Sequence, residues 1–437
     1  MGAAIAAGHE RTAEAGARVL AAGGNAVDAC VAAAFTGFVA EGPLTGPAGG
    51  GFLLLHVDGR VQLLDCFFSV PSRPPAAMDE IVVDFGDSST QVFHVGEASV
   101  AVPGLVCGLE EAHRRHGSLP WADLVSPAIE LARAGVDVSE AQSFLHRILE
   151  AVLQRDEGGR RIYGEPARLV TDELVPTLER IRDAGAAAVA ELLPELADDL
   201  AAYQVLEREP VETTFLGRRV LATPAPSRGG GIVMAALDRL EGVRTLDERA
   251  HAIRDAYATA PPARMAGTTH VSVVDANGDA AALSSTLGSG SGVFRGGAQL
   301  NNMLGERDVI GDAVREPGSR LASMMTPTLA LENGRPSLAL GSAGSVRLAG
   351  AIAQVAERVL RGEELQAAID APRLHVDGDT VHLEGGYEGE PSAAWEIVRW
   401  ANRNLFFGGV SAVARAADGT LTAAGDPRRG GHGIVLG

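Results

Sequence analysis

A threonine that opens a strand directly after a glycine and a breaker-rich stretch has the makings of a nucleophile. The run ATAPPARMAG at 258–267 ends in Gly267, and Thr268-Thr269-His270 then begins THVSVVD. A threonine hydroxyl is weak until a base adjoins it, and its own α-amine becomes that base once the preceding peptide bond is cut. Gly267 tolerates the backbone angles such a cut requires. On these four residues alone, β-branched residues starting a strand is the commoner meaning, so the motif needs support from elsewhere in the chain.

Other chemistry is poorly supported. His113 and His116 lie three apart on one helical stretch without a carboxylate motif such as HExxH, so they read as solvated and no metal is expected. The glycine run at 288–292 (GSGSG) lacks the Lys-Thr and the following helix of a phosphate loop, and there is no GxSxG elbow. Cys30, Cys66 and Cys107 sit in apolar runs and form no CxxC pair, which suits small buried hydrophobes better than a disulfide framework.

The elements that must position the threonine are legible in outline. Helical spacing runs from Glu10 to Leu20, and Gly23-Gly24 stops it. Asn25 then caps a second, Ala-rich helix to about Ala40. FLLLHV, the turn Asp58-Gly59 and VQLLDC form a hairpin signature. Helices are predicted after Val102-Pro103-Gly104 through His116 and from Pro120-Trp121 through Ala134, and residues 139–205 read as mostly helical. Pro224–Gly231 is a loop leading into the helix IVMAALDRL, and 258–267 is the likeliest exposed connection. THVSVVD–Asn277-Gly278–AALSST and LALEN–Asn333-Gly334–SLALG are strand–turn–strand units, and Arg347–Arg361 is an amphipathic helix. Helices, then hairpins, then a helix imply sheets covered by helices.

Composition sets bounds. With 46% hydrophobic residues in 437, a sizeable core is assured and disorder is excluded. A net charge of −19 repels phosphate backbones, so nucleic acid and anionic membrane are not expected partners. The start MGAAIAAGHERTAEAG lacks a basic region followed by an apolar one, and the apolar stretch from Ala29 to Ala40 is too short to span a bilayer. A cytoplasmic location is the resulting expectation.

Longer motifs give the threonine its context. They appear in order as GGNAVDACVAAA from Gly23, GGGF from Gly49, SVAVPGLVCGLEEAHRRHGSLPW from Ser99 and LVSPAIELARAGV from Leu124. TPAPSRGGG from Thr223, TTHVSVVDANGDAAALSST from Thr268, LNNMLGE from Leu300 and SMMTPTLAL from Ser323 follow. GSAG from Gly341, DAPRLH from Asp370 and DPRRGG from Asp426 complete the series. By these stretches the chain resembles the γ-glutamyltranspeptidase family of N-terminal-nucleophile hydrolases. The resemblance implies a four-layer αββα fold and a precursor that cleaves itself between Gly267 and Thr268. The segments 1–267 and 268–437 would then remain together as one αββα domain. It also implies an acyl-enzyme on Thr268, a small-molecule amide or peptide substrate, and no metal or organic cofactor.

Position by position, Thr268 matches the family nucleophile, and Thr286 matches the threonine that orients it. Gly344 and Ser345 match the paired glycines of the oxyanion hole, and serine keeps the backbone N–H. Asn302, Glu306 and Ser323 fall where the family lines its substrate pocket, with Glu306 in place of an aspartate that grips the substrate amine. The family motif DFRE supplies an arginine for the glutamyl carboxylate, whereas here Asp65-Cys66-Phe67-Phe68 puts Phe67 at that place. Ala322, Met303 and Gly288 are further departures, and the stretch between Gly231 and Thr268 is shorter than usual. These differences favour a non-glutamyl acyl group, with Phe67 offering an apolar face to it. A true γ-glutamyl enzyme acting on glutathione is the nearest alternative, with Phe67 in the core and another cation serving; Arg73, Arg320 and Arg347 are candidates. An unprocessed scaffold protein is the alternative of another class.

Overall fold

The computed structural model describes residues 2–74, 76–84, 90–164, 167–258, 267–311, 315–392 and 394–437. The connection expected to be exposed before Thr268 falls mostly at 259–266, outside the described residues.

The strands of the two large sheets are β1 (Ala3–Ala7), β2 (Gly50–Val57), β3 (Arg60–Cys66), β4 (Leu206–Arg208), β5 (Val211–Phe215) and β6 (Arg218–Ala222). They continue with β7 (Gly267–Val274), β8 (Ala280–Gly288), β9 (Thr328–Glu332), β10 (Arg335–Ala343), β11 (Gly409–Arg415), β12 (Leu421–Gly425) and β13 (His432–Leu436). Among the described residues, one sheet has seven strands in the order β13-β1-β7-β8-β2-β3-β4. The other has six in the order β12-β11-β10-β9-β6-β5. Strands from both sides of Gly267 enter each sheet.

Alternation within β2 and β3 shows why these segments read as nearly continuous apolar runs. Phe52, Leu54 and Leu63 face the second sheet, while Leu53, Leu55 and Leu64 face helices. Both faces of the sheet are buried. The covering helices on this side are α1 (Glu10–Ala21), α2 (Ala26–Ala40), α3 (Leu105–His116), α4 (Trp121–Ala134) and α5 (Leu174–Ala184). On the far side α6 (Gly229–Leu240), α7 (Leu246–Tyr257) and α8 (Leu348–Leu360) cover the six-stranded sheet. The result is a four-layer αββα sandwich.

Local signals hold closely here. Asn25 closes a capping box with Asp28, and α2, which is hydrophobic all round, is buried at every residue. His113 and His116 bond to the Leu119 carbonyl and to Gln62, and no cluster of three or more potential metal ligands occurs among the described residues. No helix of the described residues is long and apolar enough to cross a membrane. The two strand–turn–strand units are antiparallel pairs and belong to different sheets. Sequence patterning gives no sign of β1: AAIAA has one large side chain, yet it lies between β7 and β13, with Gly16 of α1 pressed onto Ile5.

Candidate active site

The strand β7 begins at Gly267, and its pairing with β8 is irregular there. Gly267 pairs with Gly288 and Thr269 with Ser285, so Thr286 and Leu287 together oppose the single residue Thr268. Such a bulge twists a strand end and re-aims its side chains. The Thr286 hydroxyl accepts a hydrogen bond from the Gly288 N–H at 2.8 Å and donates its own proton to the Gly267 carbonyl oxygen. That carbonyl belongs to the peptide bond preceding Thr268. A Cβ on Gly267 would lie 2.9 Å from the Gly288 carbonyl oxygen and 3.3 Å from that of Pro43, so glycine is required by space. Thr268 itself is buried.

Thr269 is anchored on the helix side of the sheet. Its hydroxyl donates to Glu41, at the end of α2, and Glu41 also accepts from the Thr12 hydroxyl of α1 at 2.7 Å. Gly8 sits against both Glu41 and Thr269, where a side chain would collide. Burial raises the Glu41 carboxyl above its ordinary range. Sequence patterning does not single out Glu41, although an acid closing a wholly apolar helix is a signal in hindsight.

His270 faces the other sheet. Its ring is held by the Ser284 and Ser272 hydroxyls at 2.8 and 2.9 Å and presses on Gly341 of β10. Burial pushes its pKa down to about 3, so the imidazole is neutral. It spaces the sheets rather than titrating. Beyond Gly341, β10 runs into Gly344 and Ser345, with φ of 129° and 59°, and then into α8. A serine in the left-handed region costs energy unless its surroundings enforce it. Gly344 is held to glycine by Gly408: a Cβ on Gly344 would approach its Cα to 2.8 Å. The backbone N–H groups of such a turn into a helix start carry partial positive charge.

Asn302 and Glu306 meet at the end of β8. Asn302 Oδ1 accepts from the N–H groups of Ser289 and Gly290 at 2.8 and 3.1 Å, and its Nδ2 donates to the His94 carbonyl. Glu306 Oε1 accepts from the Ser289 N–H and hydroxyl at 2.8 and 2.6 Å. Burial pushes the Glu306 pKa up to about 6 against these bonds. Gly288 has φ of 71° and fits beneath Asn302 and Glu306 without a side chain.

The remaining candidates are placed elsewhere. The Ser323 hydroxyl accepts from the Met325 N–H at 3.0 Å, and its carbonyl accepts from the Arg228 N–H at 2.9 Å, so it secures the loop before α6. Phe67 is a core residue. It is 1% exposed, its ring stacked on Phe52 at 5.2 Å and edge-on to Phe68 at 4.9 Å. It presents no face to a ligand, contrary to the expectation of an apolar pocket wall. None of the three arginines considered as substitutes is unengaged. Arg320 pairs with Asp65 at 3.3 Å and lies over Tyr203; Arg73 donates to the Glu97 and Val100 carbonyls. Arg347 donates to the Phe406 carbonyl at 2.7 Å and lies over that ring.

The family model for gamma-glutamyltranspeptidase matches residues 12–265 and 243–436. The chain belongs to the gamma-glutamyltranspeptidase family. It is an enzyme of this hydrolase and transferase class. The family relatives include a glutathione hydrolase proenzyme of Pseudomonas aeruginosa, 30% identical over 100% of this chain and 95% of its own. An acylase ACY 1 proenzyme of Pseudomonas sp. (strain SE83) is 30% identical over 98% and 92%. In fold the family member resembles the crystal structure of cephalosporin acylase from Bacillus halodurans, with a TM-score of 0.82 at 20% identity, covering 99% of this chain and 95% of that one.

Proposed function

We propose that the chain cuts itself between Gly267 and Thr268 and then hydrolyses or transfers an acyl group through Thr268. The observation that carries this reading is the Thr286 hydroxyl donating to the carbonyl of the peptide bond to be cut, at a bulge opposite Thr268. In self-cleavage the Thr268 oxygen attacks the Gly267 carbonyl carbon, and charge grows on the oxygen that Thr286 already contacts. The C–N bond breaks, the nitrogen takes a proton, and an ester remains. Water hydrolyses that ester, leaving a carboxylate at Gly267 and a free α-amine and hydroxyl on Thr268.

In turnover the α-amine takes the hydroxyl proton as Thr268 attacks the substrate amide. The N–H groups of Gly344 and Ser345 receive the oxyanion, the amine leaves with a proton, and water or a second amine releases the acyl group. The acyl group is gripped differently from a γ-glutamyl group, because position 67 is a packed phenyl ring. That one 30%-identical relative is named a glutathione hydrolase and another an acylase fits a fold that accepts different acyl groups.

The test is a denaturing gel with N-terminal sequencing of the purified protein. Two chains are expected, the smaller beginning at Thr268, with turnover of acyl-p-nitroanilides. A wild-type chain that stays intact after long incubation would overturn the reading.

A further inference from the structure

Adjacent arginines in the motif DPRRGG have opposite fates. Arg428 is fully engaged: it donates to both oxygens of Glu384 at 2.7 and 2.6 Å, to Asp426, and to the carbonyls of Ile369 and Ala371. Asp426 is further occupied by Arg373 and the Val410 N–H. The Arg429 backbone N–H donates to the Asp426 carbonyl at 3.1 Å, but its side chain has no hydrogen bond or ion pair among the described residues, and its Nε is buried without a partner. Its stem lies along Gly409, and Nη2 comes 3.9 Å from where a Cβ on Gly344 would be. The unpaired guanidinium therefore stands beside the turn assigned to the oxyanion hole.

It also lines a partly open cavity of about 30 Å³ with Glu41, Pro43, Leu44, Gln142 and His146. Pro43 and Leu44 lie against Gly267, Glu41 holds Thr269, and Arg429 reaches Gly344, so residues of the cavity wall touch both the nucleophile strand and the oxyanion turn. His146 is more than nine-tenths buried, packs edge-on to Tyr163, and leaves both ring nitrogens unpaired. Glu41 is committed to two threonine hydroxyls and is not paired with Arg429. Burial pushes the Arg429 pKa down to about 10, which still leaves a cation at neutral pH. Arg429 is half-buried, and Asp426 acts on its guanidinium only through space, being itself hydrogen-bonded to Arg373 and Arg428; a guanidinium in that position gains from an anion that completes its hydrogen bonds.

We propose that Arg429, with His146 beside it, binds a carboxylate carried by the substrate. A cavity of this volume holds one or two water-sized groups, which suits a carboxylate head whose carrier lies outside it. The guanidinium fork gives charge-assisted bonds to both oxygens, and the neutral imidazole adds one N–H donor. The carboxylate belongs either to the acyl part or to the amine part of the amide. This assignment rests on Thr268 being the nucleophile of the same site.

Two matched pairs separate the sources. Glutaryl-p-nitroanilide is compared with pentanoyl-p-nitroanilide, and the pentanoyl amide of 4-aminobenzoate with that of 4-aminobenzamide, on wild type, Arg429→Met and Arg429→Lys. In one pair, the wild type should prefer the carboxylate-bearing member, and Arg429→Met should lose about 10- to 100-fold in kcat/KM on it. The uncharged partner should change by less than about threefold, and lysine should restore part of the loss. Equal losses on all four amides, or no carboxylate preference in wild type, would overturn the assignment. Calorimetric titration with glutarate and with 4-aminobenzoate reads the site without turnover. Binding by wild type that Arg429→Met abolishes supports the site even if no amide is cleaved, in which case the reaction reading alone fails. Amide turnover with neither anion bound would leave the reaction standing and remove the site.

Discussion

Around residues 267–270 the side chains are polar, with Thr269 bonded to Glu41 and His270 to Ser284 and Ser272, while Thr286 donates to the Gly267 carbonyl. Two strands away in the same sheet, Phe52 lies level with Ser284 and His270 and packs with Phe67 and Phe68 as a dry aromatic cluster. In the proposed reaction the first region places the reacting atoms, and the second fills volume. A fold built this way can keep its bond-breaking parts while exchanging the groups that recognise an acyl chain. Arg429, whose guanidinium is unpaired, comes from the C-terminal motif, in the connection from β12 of the six-stranded sheet to β13 of the seven-stranded one.

The comparison breaks most sharply at Thr268. Thr268→Ala should remain a single chain and show no amide turnover by gel and p-nitroanilide assay; a variant that still splits would remove the nucleophile from this strand.

Phe67→Arg probes the aromatic region. An arginine there would leave its charge among phenyl rings without a partner, and the loss of packing adds to that. Stability should fall by about 4 kcal/mol or more in denaturant unfolding. If the variant keeps wild-type stability and gains γ-glutamyl turnover, position 67 borders the substrate and the contrast drawn here is wrong.

Thr286→Ala should slow both self-cleavage and turnover by roughly ten- to a hundredfold, equivalent to about 1–3 kcal/mol for one lost orienting bond, without unfolding the protein. Unchanged cleavage kinetics would reduce Thr286 to an ordinary strand residue.

The smallest effect concerns Glu306, whose carboxyl is raised to about 6 by burial. A carboxyl raised in the folded state gives its full stabilisation below its ordinary pKa and loses it as pH rises through about 6. Wild type should therefore carry a penalty of about 2 kcal/mol at pH 8 that is absent at pH 4. Glu306→Gln keeps an acceptor for Ser289 and should gain on wild type across that interval. Parallel unfolding curves at both pH values would show that Glu306 is not strained by burial.

Much of the frame was legible before any coordinates. The Asn25 cap, the Asp58-Gly59 hairpin, the helix from Gly104 and the strands flanking Asn277-Gly278 depend on neighbours within a few residues, and their boundaries came out within a residue or two. β1 was invisible because an alanine-rich strand has no period to read, and its place is fixed by partners more than 260 residues away. The two hairpins of the second half look alike in sequence but enter different sheets, a choice made by long-range pairing.

The residue types at the site follow the same division. The sequence alone determined which hydroxyl adjoins Gly267, which motif carries Gly344 and Ser345, and that no arginine stands at position 67. These are matters of residue identity and order along one chain. Only the tertiary structure decided that Thr286 touches the Gly267 carbonyl, that Phe67 turns inward, and that Arg428 is paired while Arg429 is not. Adjacent identical side chains carry the same information in sequence. Their difference arises from which acids are already occupied, and that is fixed only when distant segments pack.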